Sequence, residues 1–255
     1  MSTLHRIDHG ALAELRLDNT ARMNALTQPM LQALAGHLDA IERDTAVRCV
    51  MVTAEGERAF CTGADINAWG DLSPADFARH WVRDGHRIFD RLARLSKPTL
   101  AVLNGHAFGG GLELAAACDL RIMASGASLA LPEAGVGIVP GWSGTQRLLR
   151  LLPEPVVKEM ALFGHRVKAD RALAFGFVAA VSDDPRATAM GFVERALGLS
   201  PRAVEISKSM IHAAAGEDPG AMIEALGSAA ISATADRAEG VAAFREKRKP
   251  IFPGT

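Results

Sequence analysis

The stretch NGHAFGGGLEL at residues 104–114 sets three consecutive glycines between an apolar run typical of a strand and an apolar run typical of a helix. Because glycine has no side chain, the amide N–H groups of Gly109, Gly110 and Gly111 can approach a ligand closely. A helix that begins there also directs unpaired N–H donors and the positive end of its dipole toward the same point. Glu113 lies about one turn into that helix. The stretch therefore predicts a site that stabilises an anion beside a carboxyl group able to move a proton.

The stretch FCTGADI at residues 60–66 predicts a second loop with a bare backbone, directly after a short strand. One amide N–H from each of the two loops would form a two-donor oxyanion hole, which suits the enolate of a thioester. A single glycine is also compatible with a plain strand-to-helix turn, and this interpretation stays open for Gly63. The triplet at residues 109–111 is the more specific signal, since one glycine suffices for a turn.

Two glutamates stand in apolar surroundings. Glu113 lies between Leu112 and an alanine-rich run, and Glu133 follows Leu131-Pro132. Burial should raise the pKa of both carboxyl groups toward the range that is useful for proton transfer. Two such groups could share one water molecule, one accepting its proton while the other donates a proton to carbon. The alternative is that each glutamate caps a helix or forms an internal ion pair.

The composition excludes several classes of function. The chain has 255 residues, 49% of them hydrophobic, and a formal net charge of −1, so it has no general attraction to nucleic acid or anionic lipid. Its three cysteines give neither a disulfide framework nor a metal-type spacing with histidine, and we expect no metal site. No apolar run is long enough to span a bilayer and no targeting segment is recognisable. We expect a cytoplasmic protein with no nucleic-acid or membrane partner.

The order of elements predicts an α/β fold. Strands are expected near residues 13–17, 49–53, 59–61, 99–103, 120–124 and 128–131, with helices near residues 31–41, 73–95 and 112–118. Strands that alternate with helices favour parallel pairing. From Gly144 to Arg248 the sequence predicts helices almost throughout, and we expect Ser143 to cap the first of them. The expected domains are an α/β core with the active site at residues 1–195 and a helical oligomerisation region at residues 196–255.

Several motifs together resemble those of the enoyl-CoA hydratase/isomerase family, the crotonase superfamily. The resemblance covers nearly the whole chain. It rests on MNAL at residues 23–26, AFCTGADI at 59–66, NGHAFGGGLE at 104–113, LPE at 131–133, GIVPG at 137–141, GTQRL at 144–148 and KRKPIF at 247–252.

The resemblance implies a crotonase-like spiral of ββα repeats with a helical C-terminal trimerisation region, assembled as a homotrimer or a dimer of trimers. It implies an acyl-CoA thioester as ligand and no cofactor beyond the coenzyme A that the substrate carries. The thioester oxygen would lie between the amide N–H groups of Ala64 and Gly110. Further contacts to substrate or coenzyme A are implied for Met23, Ala25, Leu26, Thr62, Asp65, Ile66, Gly109 and Trp142.

Hydratases of this family carry glutamate at both catalytic positions, as this chain does at Glu113 and Glu133. The resemblance therefore predicts a hydro-lyase of fatty-acid β-oxidation that adds water to a trans-2-enoyl-CoA. Glu113 would act as the base toward water, and Glu133 would deliver a proton to Cα. One alternative is a Δ3,Δ2-enoyl-CoA isomerase or another enolate-forming member, for which Glu133 alone would suffice. A second alternative is a non-catalytic acyl-CoA-binding scaffold.

One position departs from the family pattern. Trp142-Ser143 stands where short-chain hydratases often have two small residues. We expect the indole to narrow or reshape the acyl pocket.

Overall fold

A computed structural model describes residues 2–217 and 219–255 and contains a six-stranded and a four-stranded sheet. The order in the first sheet is β1-β2-β3-β5-β7-β10, and in the second it is β4-β6-β8-β9. The strands are β1 Thr3–His9, β2 Leu12–Asp18, β3 Cys49–Ala54, β4 Ala59–Cys61, β5 Thr99–Leu103, β6 His106–Phe108, β7 Leu120–Ala124, β8 Ser128–Ala130, β9 Val167–Lys168 and β10 Ala180–Ser182.

Consecutive strands are divided between the two sheets. The pairs β3–β4, β5–β6 and β7–β8 each give their first strand to the large sheet and their second strand to the small one. Within each sheet, neighbours from successive pairs run parallel, which requires a crossover connection between them. A helix follows each pair, so the chain advances as a spiral of ββα units. The predicted α/β fold is confirmed.

Both faces of the large sheet are buried, which explains the unbroken apolar sequences of its strands. On one face Val50 and Val52 belong to the main core, which also contains the apolar side of helix α1, Gln28–Arg43. On the other face Cys49 and Met51 pack with Val193 of helix α8, Pro185–Leu197. This double coverage fixes β3 and β5, whose continuations into β4 and β6 lead to the two glycine-containing loops.

Eleven α-helices are described within residues 2–217 and 219–255. They are α1 Gln28–Arg43, α2 Pro74–Asp76, α3 Arg83–Ala93, α4 Gly110–Ala116, α5 Gly144–Leu151, α6 Glu154–Phe163, α7 Ala169–Ala174, α8 Pro185–Leu197, α9 Pro201–Ala214, α10 Pro219–Ser232 and α11 Ala235–Arg245. Between α2 and α3 the chain forms a π-helical segment, Phe77–Val82, where the sequence predicted one continuous helix.

The Cα positions divide the chain into two compact units, one extending to Val204 and the other covering Glu205–Thr255. The second unit consists of helices and an extended end that is joined to α11 by Arg248 and the Ile251 N–H, both bonded to Glu239. Among the helices described, none is long and apolar enough to cross a membrane.

Candidate active site

The three glycines at the start of α4 have different neighbours, and each neighbour leaves no room for a side chain. Gly109 has a φ of +49°, and a Cβ on it would lie 2.7 Å from Oε1 of Glu133. A Cβ on Gly110 would lie 2.8 Å from the Trp142 indole, and one on Gly111 would lie 2.1 Å from the carbonyl oxygen of Cys61. The triplet therefore lets α4 begin in close contact with a neighbouring strand, a carboxyl group and an aromatic ring at once.

Glu113 lies in the first turn of α4 with 3% of its surface exposed. Its Oε1 accepts hydrogen bonds from the backbone N–H groups of Trp142, at 2.8 Å, and Gly144, at 2.7 Å. Burial raises the pKa of this carboxyl group to about 7, although the bond from Trp142 opposes the rise; the charge of Glu133 adds to it. Glu113 is therefore held in one position with a pKa that suits a base near neutral pH.

Glu133 begins the 3-10 turn after β8 and is 8% exposed. Burial raises the pKa of its carboxyl group, against the hydrogen bond from its own N–H. Its Oε2 is buried, and among the described residues it has no hydrogen-bond partner. A buried polar atom without a partner is costly and needs an explanation. A catalytic role is one such explanation.

Two backbone N–H groups, of Ala64 and Gly110, come from adjacent loops. Leu26 donates to the carbonyl of Gly63 and accepts from the N–H of Asp65, so the intervening Ala64 turns its own N–H away from Leu26. Gly110 is the first residue of α4, where the helix offers its N–H no acceptor. A Cβ on Gly110 would lie 3.6 Å from the nitrogen of Ala64, so the two loops are adjacent. Among the described residues no acceptor is found for either N–H.

These groups line one cavity of about 150 Å³. Eight of the predicted site residues are on its wall: Thr62, Ala64, Ile66, Gly109, Gly110, Glu113, Glu133 and Trp142. The cavity is otherwise mainly apolar, with Trp69, Phe77, Trp81, Val82, Val136, Ile138 and Val139 among its walls. It thus combines two carboxyl groups and two N–H donors with an apolar, partly aromatic space.

The other predicted contacts lie elsewhere. Leu26 is fully buried and reaches the site only through its backbone bonds, Ala25 is nearly buried, and the side chain of Met23 is exposed. Asp65 bonds to Arg22 and lines a separate polar cavity. None of these four side chains is on the wall of the 150 Å³ cavity.

Ser143 stands at the N-cap position of α5, as expected, but the expected capping by its side chain was wrong. Ser143 has a left-handed φ of +75° and makes no capping bond; its hydroxyl instead bonds to Nδ1 of His86, at 2.8 Å. Ser143 thereby ties α3 to the turn whose Trp142 and Gly144 N–H groups hold Glu113. Sequence reasoning missed this pairing because the two residues are 57 positions apart.

The aromatic wall was also missed. Phe77 and Trp81 belong to the stretch at residues 73–95 for which the sequence predicts only a helix, and both line the cavity. The sequence signal was the density of aromatic residues between 69 and 81 in a chain with only 5% aromatic residues.

Comparison with known proteins shows the family of this chain. Residues 8–255 match the family model described as "Enoyl-CoA hydratase/isomerase". The chain belongs to the enoyl-CoA hydratase/isomerase family. It is 36% identical over 249 residues to crotonyl-CoA hydratase of Syntrophomonas wolfei, covering 94% of each chain. It is 34% identical over 244 residues to short-chain-enoyl-CoA hydratase of Clostridium acetobutylicum, covering 94% of this chain and 93% of the relative.

A solved structure of an enoyl-CoA hydratase from Bacillus anthracis has the same fold as this family member. The TM-score is 0.81 at 32% identity, with 99% of both chains covered. The crotonase-like architecture expected from the sequence is thereby confirmed.

Proposed function

We propose that this protein is an enoyl-CoA hydratase that adds water across the 2,3-double bond of a trans-2-enoyl-CoA. The observation that carries the proposal is the presence of two buried carboxyl groups with raised pKa values beside two unpartnered N–H groups in one apolar cavity. Hydration needs a base for water, an acid for carbon and donors for the thioester oxygen. The names of the crotonyl-CoA and short-chain relatives support the same reaction.

In the proposed reaction Glu113 removes a proton from water, and the oxygen of that water forms a bond to Cβ of the substrate. The electron pair of the double bond moves toward the thioester, whose oxygen becomes the enolate oxygen. The N–H groups of Ala64 and Gly110 stabilise that negative charge, and Glu133 then donates its proton to Cα. Because the carboxyl groups have exchanged protonation states, a proton must return from Glu113 to Glu133 before the next turnover.

The raised pKa values support this division of labour. A pKa of about 7 leaves a substantial fraction of Glu113 ionised at neutral pH. Glu133 must begin protonated, and its burial favours the neutral form. The charge on one carboxyl group disfavours a second charge nearby, so the state with a single proton on the pair is favoured.

The test follows the ultraviolet absorbance of the conjugated thioester. We expect trans-2-enoyl-CoA to lose this absorbance with the wild-type protein. Glu113→Gln and Glu133→Gln should each lower kcat by about 10²- to 10⁴-fold, the usual range for an acid or base. Glu194→Gln, on the exposed side of α8, serves as the matched control and should leave the rate unchanged.

Two other outcomes would replace the proposal. A protein that instead generates conjugation from a 3-enoyl-CoA, and keeps doing so in Glu113→Gln, is an isomerase that needs only Glu133. A protein that binds acyl-CoA without changing either substrate is a scaffold.

We further propose that copies of the chain associate through the second unit, as a homotrimer or a dimer of trimers. Phe244 and Ile251 are 86% and 82% exposed in the single chain, and large exposed apolar side chains mark interaction surfaces. Light scattering should give three or six times the mass of the chain, 27.0 kDa. The mass of a single chain would contradict this.

A further inference from the structure

The 150 Å³ cavity has a neighbouring cavity with which it shares one lining residue. Trp81 lies on the wall of both. The second cavity, of about 290 Å³, is an open groove between α1 and α3. Its lining combines apolar residues, Leu31, Ala35 and Ile88, with exposed polar ones such as Gln32 and Arg87. Trp81 is 4% exposed and comes from the π-helical segment Phe77–Val82, a rare geometry often found at functional sites.

The wall is held in place by several contacts. The indole N–H of Trp142 donates to the carbonyl oxygen of Trp81 at 3.2 Å, and the two rings are 5.3 Å apart. Phe89 packs against Trp142 from another side at 5.2 Å. A Cβ on Gly85 would lie 2.2 Å from the indole nitrogen of Trp142, so this glycine also makes room for the ring. Trp142 therefore has little freedom to move, and Trp81 is the lining residue that the two cavities have in common.

We propose that Trp81 limits the length of the acyl chain by closing the acyl cavity against the space between α1 and α3. This inference rests on the proposed function, in which the first cavity holds the acyl group. An apolar cavity of about 150 Å³ holds a molecule the size of benzene. With Trp81 as its limit toward α1 and α3, the cavity suits acyl groups of about six carbon atoms. Removal of the Trp81 ring joins the two cavities and admits the end of a longer chain.

The test measures binding of saturated acyl-CoA thioesters, from butyryl- to dodecanoyl-CoA, by calorimetry. These thioesters have no double bond to hydrate, so the measurement is independent of turnover. Each buried methylene contributes about 0.8 kcal/mol, which is roughly fourfold in affinity. For the wild-type protein we expect affinity to rise with length up to about hexanoyl-CoA and then to stop rising.

Trp81→Ala should let the affinity continue to rise beyond hexanoyl-CoA, by at least about twofold per methylene. Ile88→Ala is the matched control, because Ile88 lines only the second cavity. It should enlarge that cavity without opening the wall, and the wild-type length profile should remain. Because loss of a large buried ring can unfold a protein, Trp81→Leu is the second variant. Its affinity should stop rising at a chain length between those of the wild-type protein and Trp81→Ala.

A wild-type affinity that keeps rising up to dodecanoyl-CoA, or that does not change with length anywhere in the series, would overturn the inference. A folded Trp81→Ala or Trp81→Leu variant with the wild-type length profile would overturn it too. Failure of the hydratase proposal looks different: the length limit in binding is present, but trans-2-enoyl-CoA is not consumed.

Discussion

The turn that holds Glu113 allows a sharp test through Gly144→Ala. A Cβ at this position would lie 2.7 Å from Oε1 and 2.8 Å from Cγ of Glu113. Ordinary contact begins near 3.4 Å, so the carboxyl group must retreat by roughly 0.7 Å or more. Such a shift breaks or lengthens the two hydrogen bonds that Oε1 now accepts.

The expected loss of activity follows from that displacement. A misplacement of about 1 Å at a reacting group costs on the order of 100-fold in rate. The lost N–H donors also change the pKa of Glu113, because both bonds now lower it from the value that burial alone would give. Without these two hydrogen bonds the pKa of Glu113 rises above its present value of about 7. Since the base must be ionised, the increase of kcat/KM with pH should move to higher pH.

The assay is the pH profile of kcat/KM with a trans-2-enoyl-CoA. Gly135→Ala is the control, since Gly135 is in the turn that begins at Glu133 but a Cβ there meets nothing within 4 Å. A folded Gly144→Ala protein with the wild-type rate and pH profile would refute the reasoning that this turn positions and tunes Glu113.

Two further predictions concern contacts farther from the reacting atoms. Ser143→Ala and His86→Ala should each lower kcat/KM by about three- to tenfold through loss of one hydrogen bond. The double variant should be no worse than the single ones if the bond is the shared cause. Glu14→Gln should lower the free energy of unfolding at pH 7 by about 2 kcal/mol in urea titrations, a value reduced for the exposure of Arg186. Burial raises the pKa of Glu14, but the hydrogen bonds to its carboxylate, led by those from Arg186, outweigh burial and hold the pKa at about 2. The difference in unfolding free energy between the wild-type protein and Glu14→Gln should therefore persist above pH 4.5 and vanish as the pH falls toward 2. If the losses of kcat/KM from Ser143→Ala and His86→Ala add up in the double variant, the shared hydrogen bond is not their cause. If the loss of unfolding free energy in Glu14→Gln does not depend on pH, the account of the Glu14 carboxylate is wrong.

Much of the fold was predictable from local patterns. Unbroken apolar runs such as residues 49–53 identify strands of a sheet that is covered on both faces, and the structure has β3 at Cys49–Ala54. The π-helical segment was not predictable, because its apolar spacing fits an ordinary helix until the packing of Trp81 is known. How the strands divide between two sheets also depends on pairings between distant residues, on which local periodicity carries no information.

For the site, the chemical groups were predictable from the sequence: the glycine triplet, the second loop at residues 60–66, and two glutamates in apolar runs. These features are local, since backbone freedom and the cost of burying a charge follow from residue type and near neighbours. Which N–H groups lack acceptors depends on the folded chain, because Leu26 orients Ala64 across the gap between two segments. The tertiary structure also decided how Glu113 is held and where Trp81 closes the cavity, since both depend on contacts between elements far apart in the chain.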